Sequence, residues 1–537
     1  MKQTHIAYRD LDFFSDLFND YLAQKPELRK FYNYDFSLSA FSKVIEARKK
    51  IHTNRKILTE VLRAQSIDAA APAIENINLL DDSNTFTITT GHQLNIFTGP
   101  LYFIYKIITV INTCRELKKA FPDYHFVPVY WMNSDDHDFE EISYAHVFGK
   151  EIRWQHETKG PSGAVSTSSM QAVLDELFSM LGDTENALVL KRVFEESYIK
   201  HQRLDLAMRC LVNHLFGRYG LVILDPSHNL LKGQFKTILR DDIFHGNAYR
   251  LVNESSSQLS THYKPQVNPR ELNVFYMEEN FRDRLVKVEK DGKVFFQVLN
   301  RDIFFSEQEI NQLIEEYPEK LSPNVVLRPM YQEIILPNLA YIGGPSELAY
   351  WLEYKSMFDF YQVHFPMLIP RNSALWIDSS NEAKINKLGI PVLDLFLSTE
   401  QLIKKYVLEH AGDEIQLQDE AEEIGKVFDH ILDKAMKIDM TLKATIEGER
   451  QKHIKSIQYV SEKILKAQKR KYEIDILQLQ QLKGKLFPSG QLQERFDNFI
   501  PYYLKYGNSF FDSLLENFNP FESKFLVLED QDKEERK

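Results

Sequence analysis

Residues 85–108 read TFTITTGHQLNIFTGPLYFIYKII, and this stretch decides the fold. A β-rich apolar run stops at the Gly-His-Gln of residues 91–93, and a second apolar run begins after Gly99 and Pro100. A buried strand that leads through a short polar loop into a buried helix is the repeating unit of an α/β sheet. The pattern therefore predicts a strand at 86–89, with polar residues just beyond its carboxyl end.

Four more apolar runs, each flanked by segments of helical periodicity, extend this pattern. They lie at residues 126–132, 221–224, 339–342 and 367–369. Continuous apolar runs of this length are typical of parallel strands that are covered on both faces. We therefore expect an α/β protein with a Rossmann-like parallel-sheet core and helices at its N-terminus.

Insertions interrupt this core. Residues 160–217 have helical spacing, whereas residues 245–325 include runs that alternate between apolar and polar side chains. Asp291-Gly292 separates two of these runs, and this dipeptide favours a tight hairpin turn. We predict one helical insertion and one small, partly β insertion within a core domain of residues 1–398.

A heptad pattern marks the next segment, residues 399–490. Mostly apolar side chains recur there at alternating steps of four and three residues. The positions are Ile424, Phe428, Ile431, Ala435, Ile438 and Leu442, followed by Ile457, Val460, Ile464, Ala467, Lys471 and Ile474. A break near residues 437–441 or at Gly448, between an acidic and a basic arm, predicts an antiparallel α-helical coiled coil. Residues 491–537 would then return to the core.

Composition limits the classes of function. The 537-residue chain has a net charge of −12, which argues against a dedicated nucleic-acid binder. Its two cysteines, Cys114 and Cys210, exclude a disulfide framework and a cysteine-based zinc site. We see no signal peptide and no apolar run long enough to span a bilayer. We therefore expect a soluble cytoplasmic protein that binds neither nucleic acid nor membrane.

The tripeptide Gly91-His92-Gln93 is the first candidate site. In open α/β sheets, ligands bind at the carboxyl edge, where this tripeptide is predicted to lie. Gly91 permits a positive φ or the close approach of a ligand, and backbone amides after Gly99 and Pro100 would be free to face an anion. The alternative is a tight turn with a capping histidine, and no glycine-rich phosphate-binding pattern is present.

The second candidate site is the run WMNSDDHDFEE, which follows the strand predicted at 126–132. It contains Asp135, Asp136, His137 and Asp138. Three carboxylates and one imidazole this close together indicate substrate binding or acid–base work. One alternative is a divalent metal site, although adjacent residues on a strand face opposite ways. The other is a loop whose acids cap a helix.

Polar residues also follow the later strands. LRPMYQEIILP supplies Arg328, YIGGPSELAYW supplies Gly343, Gly344 and Glu347, and IPRNSA supplies Arg371 and Ser373. Arginines in such positions suit carboxylate or phosphate groups, although for each one alone a salt bridge is an equally good explanation. Asp225 and His228, in ILDPSHN, rank lower, as a supporting contact or an ordinary turn.

Six segments of the sequence together resemble a known family. They are TGHQLNIFTGPLYFIYKI, PVYWMNSDDHDFEEI, LRPMYQEIILPNLAYIGGPSELAYW, PMLIPRNSA, KAQKRKYE and LFPSGQLQER, in the same order over nearly the whole chain. They are similar to the bacillithiol-biosynthesis cysteine-adding enzyme family. The resemblance implies a ligase that adds cysteine to glucosaminyl-malate by amide formation, the last step of bacillithiol biosynthesis. It also implies a homodimer formed through the coiled coil and binding of an adenine nucleotide, ATP or ADP, without a metal.

The resemblance also assigns site residues. It implies that these residues line one pocket, where residue type and strand-end position predict catalytic roles for His92, Asp136 and His137. Substrate binding is expected of Gly91, Gln93, Asp135, Arg328, Gly343, Gly344, Glu347, Arg371 and Ser373, and nucleotide binding of Lys466, Lys469 and Arg470. For the last three, which lie on the predicted coil, a solvated helix face is the alternative. Two rival functions are a metal-dependent hydrolase built on residues 135–138 and a coiled-coil scaffold whose α/β core has lost activity.

Overall fold

The structure is a computed structural model that describes residues 1–411 and 417–530. Residues 412–416 and 531–537, which belong to the predicted segments 399–490 and 491–537, lie outside the described residues. The described strands are β1 (Lys2–Ala7), β2 (Thr85–His92), β3 (His125–Met132), β4 (Tyr144–Val147), β5 (Lys150–Arg153), β6 (Val222–Leu224), β7 (Val274–Glu278), β8 (Phe281–Lys290), β9 (Lys293–Val298), β10 (Phe304–Phe305), β11 (Leu321–Pro323), β12 (Asn338–Gly343), β13 (Met367–Pro370), β14 (Ala374–Ile377) and β15 (Lys524–Glu529).

The described α-helices are α1 (Asp16–Leu22), α2 (Phe41–Lys49), α3 (Arg55–Gln65), α4 (Ala71–Leu79), α5 (Tyr102–Ala120), α6 (Phe139–Ile142), α7 (Met170–Leu181), α8 (Glu185–Tyr198), α9 (Leu204–Phe216), α10 (Asn229–Lys232), α11 (Lys236–His245), α12 (Asn247–Leu259), α13 (Glu307–Glu316), α14 (Arg328–Ile335), α15 (Pro345–Trp351), α16 (Lys355–Tyr361), α17 (Ser379–Leu388), α18 (Thr399–Ala411), α19 (Gln418–Met436), α20 (Lys443–Lys471), α21 (Glu473–Leu486), α22 (Gln493–Phe496), α23 (Ile500–Tyr506) and α24 (Ser509–Asn517). None of them is both long enough and apolar enough to cross a lipid bilayer.

The described residues form two compact units. The larger unit contains His5–Ala374 and Glu494–Leu526, and the smaller contains Met1–Thr4, Leu375–Gln493 and residues 527–530. The central sheet belongs to the larger unit, and the long C-terminal helices belong to the smaller.

The central sheet has five strands in the order β13-β12-β2-β3-β6, and every neighbouring pair is parallel. All eight residues of β2 are buried, which explains why this strand reads as a continuous run without polar alternation. Each of the five strands overlaps an apolar run in the sequence. The predicted Rossmann-like α/β core is therefore confirmed.

Strand β2 is longer at its carboxyl end than the apolar pattern predicts. It continues through Gly91 and His92, which pair with Trp131 and Met132 of β3. The neighbouring strand decides this extension, because pairing with β3 satisfies backbone groups that a lone turn would expose. Gly91 is not in the left-handed region, so its φ is not the reason for a glycine at this position.

The left-handed backbone lies further along the loop, at Phe97, Thr98 and Gly99, with φ of 51°, 70° and 66°. A Cβ on Gly99 would lie 2.8 Å from the Cβ of Asn95, so glycine is required there for two reasons. The Leu101 amide donates to the Asp497 carbonyl at 2.8 Å. The Gly-Pro motif predicts that this amide is free to face an anion. Its hydrogen bond to Asp497 shows that it is not free.

The predicted insertions are present in the larger unit. Helices α7, α8 and α9 occupy the helical insertion, and a five-stranded antiparallel sheet of order β10-β9-β8-β7-β11 occupies the β insertion. Asp291 and Gly292 join β8 to β9 with φ of 52° and 71°. Positive φ at both central residues is the geometry of a type I′ hairpin, as the sequence predicts.

In the smaller unit, α19 and α20 form the predicted antiparallel hairpin. Asp429 pairs with Arg450 at 3.5 Å, and the Phe428 ring lies 5.1 Å from that of His453, so residue numbers rise along one helix as they fall along the other. The chain reverses between Met436 and Lys443, at the first of the two predicted breaks. The other predicted break lies inside α20.

A buried polar network joins α14 to the central sheet. Glu333 Oε1 accepts hydrogen bonds from Gln332 and Asn338, both at 2.8 Å. The Asn338 side-chain oxygen in turn accepts from the hydroxyls of Thr87 and Thr89 across the β12–β2 pair. Burial raises the pKa of Glu333 to about 7. The folded protein therefore holds this proton more tightly than the unfolded chain does.

Replacing Glu333→Gln should make stability less dependent on pH. The neutral side chain keeps an oxygen for both hydrogen bonds, whereas in the wild type the stabilisation from the protonated carboxyl is complete in acid and is lost as pH rises through about 7. Between pH 5 and 8 we expect the wild type to lose roughly 1–3 kcal/mol more unfolding free energy than the variant. Urea unfolding at both pH values measures this, with Glu60→Gln on the exposed side of α3 as control. Equal losses in all three proteins would contradict the expectation.

Candidate active site

The predicted site residues of the α/β core lie at the carboxyl ends of the central strands. Gly91 and His92 close β2, Gly343 closes β12, and Arg328 is the first residue of α14. The remaining members follow four of the central strands within a few residues: Gln93 follows β2; Asp135, Asp136 and His137 follow β3; Gly344 and Glu347 follow β12; and Arg371 and Ser373 follow β13. All belong to the larger unit. Parallel strands therefore bring segments from distant parts of the sequence to one edge.

Asp135 is the most enclosed acid of this edge. Its Oδ2 accepts from Ser322 Oγ at 2.7 Å and from Lys232 Nζ at 3.2 Å, and its Oδ1 lies 3.4 Å from Arg328 Nη2. Burial alone would raise the pKa of Asp135, but Lys232, Arg328 and Arg282 outweigh it and hold the pKa well below its usual range. Asp135 is therefore an anion at any physiological pH.

Asp136 is bound on several sides. It accepts from the His137 amide at 2.8 Å and from Gln93 Nε2 at 3.3 Å, and Arg328 and Arg282 lie 3.7 and 3.8 Å away. Burial opposes ionisation, but hydrogen bonding from His137 and the two guanidinium charges lower the pKa of Asp136 far below that of a free carboxyl. A group held this firmly as an anion positions other groups rather than exchanging protons.

Two cations of this edge were not predicted from the sequence. Lys232, at the end of α10, is fully buried, and Arg282, on β8, has a side chain that is 3% exposed. With Arg328 they form three cations around Asp135 and Asp136, here called the charged cluster. A buried lysine or arginine is uncommon, but nothing in the local sequence links Lys232 to Asp135, 97 positions away, or Arg282 to Asp136, 146 positions away.

The charged cluster therefore carries one positive charge more than its two carboxylates neutralise. An uncompensated buried charge destabilises a fold by several kcal/mol, so an excess of this kind is suited to an anionic ligand group. Planar guanidinium groups such as those of Arg282 and Arg328 match carboxylate and phosphate oxygens.

Arg282 also determines the state of His137. Its Nη1 lies 2.9 Å from His137 Nδ1, and its Nε donates to Ser322 Oγ at 3.0 Å. Burial lowers the pKa of Arg282 to about 10, so the guanidinium is charged at neutral pH and can only donate. His137 Nδ1 must then accept, which leaves the proton on Nε2. Because the His137 side chain is 40% exposed, this N–H is available to an incoming group.

His92 lies in a contrasting environment. It is buried, with the Tyr102 and Phe103 rings at 5.4 and 5.2 Å, and its Nε2 has no hydrogen-bond partner among the described residues. Burial, reinforced by the charges of Lys106 and Arg371, lowers the pKa of His92 well below its usual value. The imidazole is therefore neutral at physiological pH.

A second charged network supports the Gly91 side of the edge. Lys106 Nζ contacts Glu347 Oε2 at 2.6 Å and donates to the Gly91 carbonyl at 2.9 Å. Glu347 also accepts from Tyr341 Oη at 2.8 Å and from the Gly344 amide at 2.7 Å. Glu347 is therefore occupied by protein groups, and its role here is to hold the end of β12 and the start of α15 beside β2.

Arg371 is similarly occupied. Its Nη2 binds Glu494 Oε1 at 2.7 Å and its Nη1 donates to Ser373 Oγ at 3.0 Å, and both Arg371 and Glu494 are buried. The sequence left open whether Arg371 forms a salt bridge or contacts a ligand. The structure shows the salt bridge, with a partner 123 residues further along the chain.

Several buried polar atoms at this edge have no hydrogen-bond partner among the described residues. They are His92 Nε2, Trp131 Nε1, Asn133 Oδ1, Asp135 Oδ1 and Arg328 Nε. Buried polar groups are almost always hydrogen-bonded, so this concentration of free donors and acceptors indicates a place for ligand groups. Gln93 is held at this edge by its side-chain nitrogen, which donates to both Asp136 and Glu141.

The acids of this region are not arranged as metal ligands. Within the described ranges, no group of three or more His, Cys, Asp or Glu side chains is placed to hold a metal ion. Asp138 instead caps α6 by accepting from the Glu141 amide, as the capping alternative predicts for one of the acids.

The predicted nucleotide-binding residues belong to the smaller unit. Lys466, Lys469 and Arg470 lie in the last two turns of α20, and Lys466 and Arg470 are exposed.

Comparison with known proteins assigns both parts of the chain. A family model described as "Bacillithiol biosynthesis BshC, N-terminal Rossmann-like domain" matches residues 1–372, and one described as "Bacillithiol biosynthesis BshC, C-terminal coiled-coil domain" matches residues 374–529.

Similar curated proteins share the name "Putative cysteine ligase BshC". That of Flavobacterium psychrophilum is 41% identical over 528 residues, covering 97% of this chain and 98% of the relative. That of Flavobacterium johnsoniae is 42% identical, covering 97% and 99%, and that of Christiangramia forsetii is 39% identical, covering 97% and 98%. With both domains matched in order and nearly the full length aligned, the chain belongs to the BshC family of bacillithiol-biosynthesis proteins.

Proposed function

We propose that this protein is a cysteine ligase that joins the carboxyl group of L-cysteine to the amine of glucosaminyl-malate, the last step of bacillithiol biosynthesis. The name of its relatives supports ligase activity. The observation that carries the substrate assignment is the charged cluster, whose excess positive charge lies at the same sheet edge as the neutral His92. Occupation of both acids by cations disfavours the metal-dependent hydrolase.

The malate part of the substrate fits the charged cluster. Malate brings carboxylates, and Arg328 Nε and Trp131 Nε1 are donors without partners in the described chain. A carboxylate on Arg328 would neutralise the excess charge and give its Nε an acceptor. Asp135 and Asp136 would then hold the cations in place rather than contact the substrate.

The two histidines divide the acid–base work. The amine nitrogen forms the new C–N bond to the activated cysteine carboxyl carbon, the leaving group departs, and the amine gives up a proton. His92 is neutral and has a free Nε2, so it can accept that proton. His137, with its proton on Nε2, can donate a hydrogen bond to the oxyanion that develops on the carboxyl oxygen.

Activation of the cysteine carboxyl requires a co-substrate, and we extend the proposal to an adenine nucleotide. When bound, it would supply the leaving group that cysteine itself lacks. The basic turns of α20 that carry Lys466, Lys469 and Arg470 suit its phosphates, because several cations are close together there.

We also propose a homodimer formed through the coiled coil. Apolar side chains of α19 and α20 are exposed in the single chain, among them Ile431 at 43% and Val460 at 46%. Both belong to the heptad seam, and an exposed seam of this kind is suited to a second copy of the same helix pair.

A thiol profile tests the assignment as a whole. A strain that lacks this protein should lose bacillithiol and accumulate glucosaminyl-malate. An unchanged profile would instead support the scaffold.

Replacing His92→Asn should lower the rate of bacillithiol formation by about 10²–10⁴-fold, because the proton acceptor is removed. Since the pKa of His92 lies well below its usual value, the wild-type rate should not fall as pH decreases through 6.5 on account of this group. Purified protein, cysteine, glucosaminyl-malate and ATP provide the assay. His245→Asn, at an exposed position of α11, is the control. A near-normal rate in the His92 variant would remove this residue from the mechanism.

Replacing Arg282→Gln should release His137 from a single tautomer. We expect ¹⁵N NMR of the wild type to show an unprotonated Nδ1 and the variant to show a mixture of tautomers, because the fixed donor is gone. The kcat should fall by about tenfold or more, with a smaller change if lysine restores the charge. Detection of a protonated Nδ1 in the wild type at neutral pH would exclude this role.

Substituting Ile431→Glu together with Val460→Glu should convert the dimer to monomer, because two charges would be buried in the seam. Sedimentation equilibrium measures the change. Lys455→Glu, at an exposed polar position of α20, should leave the dimer intact. A dimer of unchanged affinity in the double variant would place the interface elsewhere.

A further inference from the structure

A cavity lies beside the edge strand β6 of the central sheet. It has a volume of about 620 Å³ and is here called the edge pocket. Its walls are the end of α3, helix α9 and the loop that follows β6. None of the residues assigned to the candidate active site lines it. A volume between about 300 and 1,000 Å³ is usual for small-molecule sites.

Arg209 of α9 lines the edge pocket without a counter-ion. Its Nη1 donates to the backbone and side-chain oxygens of Gln65, at 2.8 and 3.3 Å. Its Nε is buried without a partner, and no ion pair joins Arg209 to any carboxylate in the described part of the chain. A largely buried guanidinium is normally paired with an anion, so Arg209 has an unfilled requirement for one.

Asp225 lines the same cavity and is in the complementary situation. Its Oδ1 accepts from Ser134 Oγ at 2.6 Å and from the amide and hydroxyl of Ser227 at 3.0 and 2.7 Å. It is buried, and no lysine or arginine of the described residues forms an ion pair with it. The other buried acid of the pocket, Asp205, is already bound by Arg203 through two hydrogen bonds. Asp225 is thus the carboxylate that lacks a cation.

One part of the wall of the edge pocket is apolar. Ala73, Leu221 and Val222 are buried and line it, whereas polar residues such as Asp68, His201 and His214 line other parts. The charges of Asp225 and Asp205 reach Arg209 and partly offset the fall in its pKa that burial causes. Because Arg209 and Asp225 interact without forming an ion pair, a ligand can contact both side chains.

We propose that the edge pocket binds a zwitterion of the amino-acid type, with its carboxylate on Arg209, its ammonium group on Asp225 and an apolar side chain against Ala73 and Leu221. A simple anion would satisfy only Arg209, and a simple amine only Asp225. Occupancy is transmitted to the active site, because Asp225 holds Ser134, the residue directly before Asp135.

Leucine and two molecules that each lack one charge test this assignment on the full-length wild-type protein. 4-Methylpentanoate retains the carboxylate and side chain, and 3-methylbutylamine retains the amine and side chain. Calorimetric titration should show leucine binding about ten- to hundredfold more tightly than either, since each loses one charge-assisted contact. Equal affinity of leucine and 4-methylpentanoate, or no binding of leucine, would overturn the proposal.

Variants of the protein test whether leucine binds in the edge pocket. Arg209→Gln should weaken leucine binding by at least about tenfold, whereas Arg115→Gln, an exposed arginine of α5, should not. Undiminished binding to the Arg209 variant would place the ligand elsewhere. Backbone hydrogen exchange of residues 133–137 should slow when leucine binds the wild type, and an unchanged rate would refute the link to the active site. Bacillithiol formation is measured separately, so the ligase assignment and the edge pocket can fail independently.

Discussion

The structure of the active-site edge depends on the ionic contacts of Asp135. Lys232 and Arg328 come from helices that lie far apart in sequence, and both reach this one carboxylate. Two charges taken out of water are stable only when each has a partner and further hydrogen bonds, which Ser322 supplies here. The β insertion is tied to the same point through Arg282. A site assembled from three segments is therefore held at a defined geometry by electrostatics rather than by loop rigidity.

In the proposed function, the surplus of positive charge lets this edge hold an anionic substrate group. The cations fix the carboxylates as anions, so neither Asp135 nor Asp136 can serve as a proton donor. In the proposed mechanism, proton transfer is therefore assigned to groups outside these two carboxylates. His92 remains neutral because it is buried near Lys106 and Arg371, whereas at His137 the Arg282 guanidinium occupies Nδ1.

Much of the fold follows from patterns that can be read locally. Parallel strands buried on both faces need continuous apolar runs, which made β2 predictable. A type I′ turn needs residues that tolerate positive φ, which made the turn at Asp291-Gly292 predictable. Strand ends were less predictable. The extension of β2 through His92 depends on pairing with β3, which no local pattern encodes. The positive φ values of the following loop lie at Phe97 and Thr98 rather than at Gly91.

By itself the sequence determined the α/β class, the coiled coil, the family and the strand ends at which polar residues collect, because each of these is written in side-chain type and spacing. Only the tertiary structure decided which charges meet. Lys232 and Arg282 look like ordinary basic residues of a helix and a strand, and Arg371 looks free to bind a ligand until Glu494 is placed beside it. Pairing between charges is a property of distance in space, and distances between residues a hundred or more positions apart exist only in the folded chain.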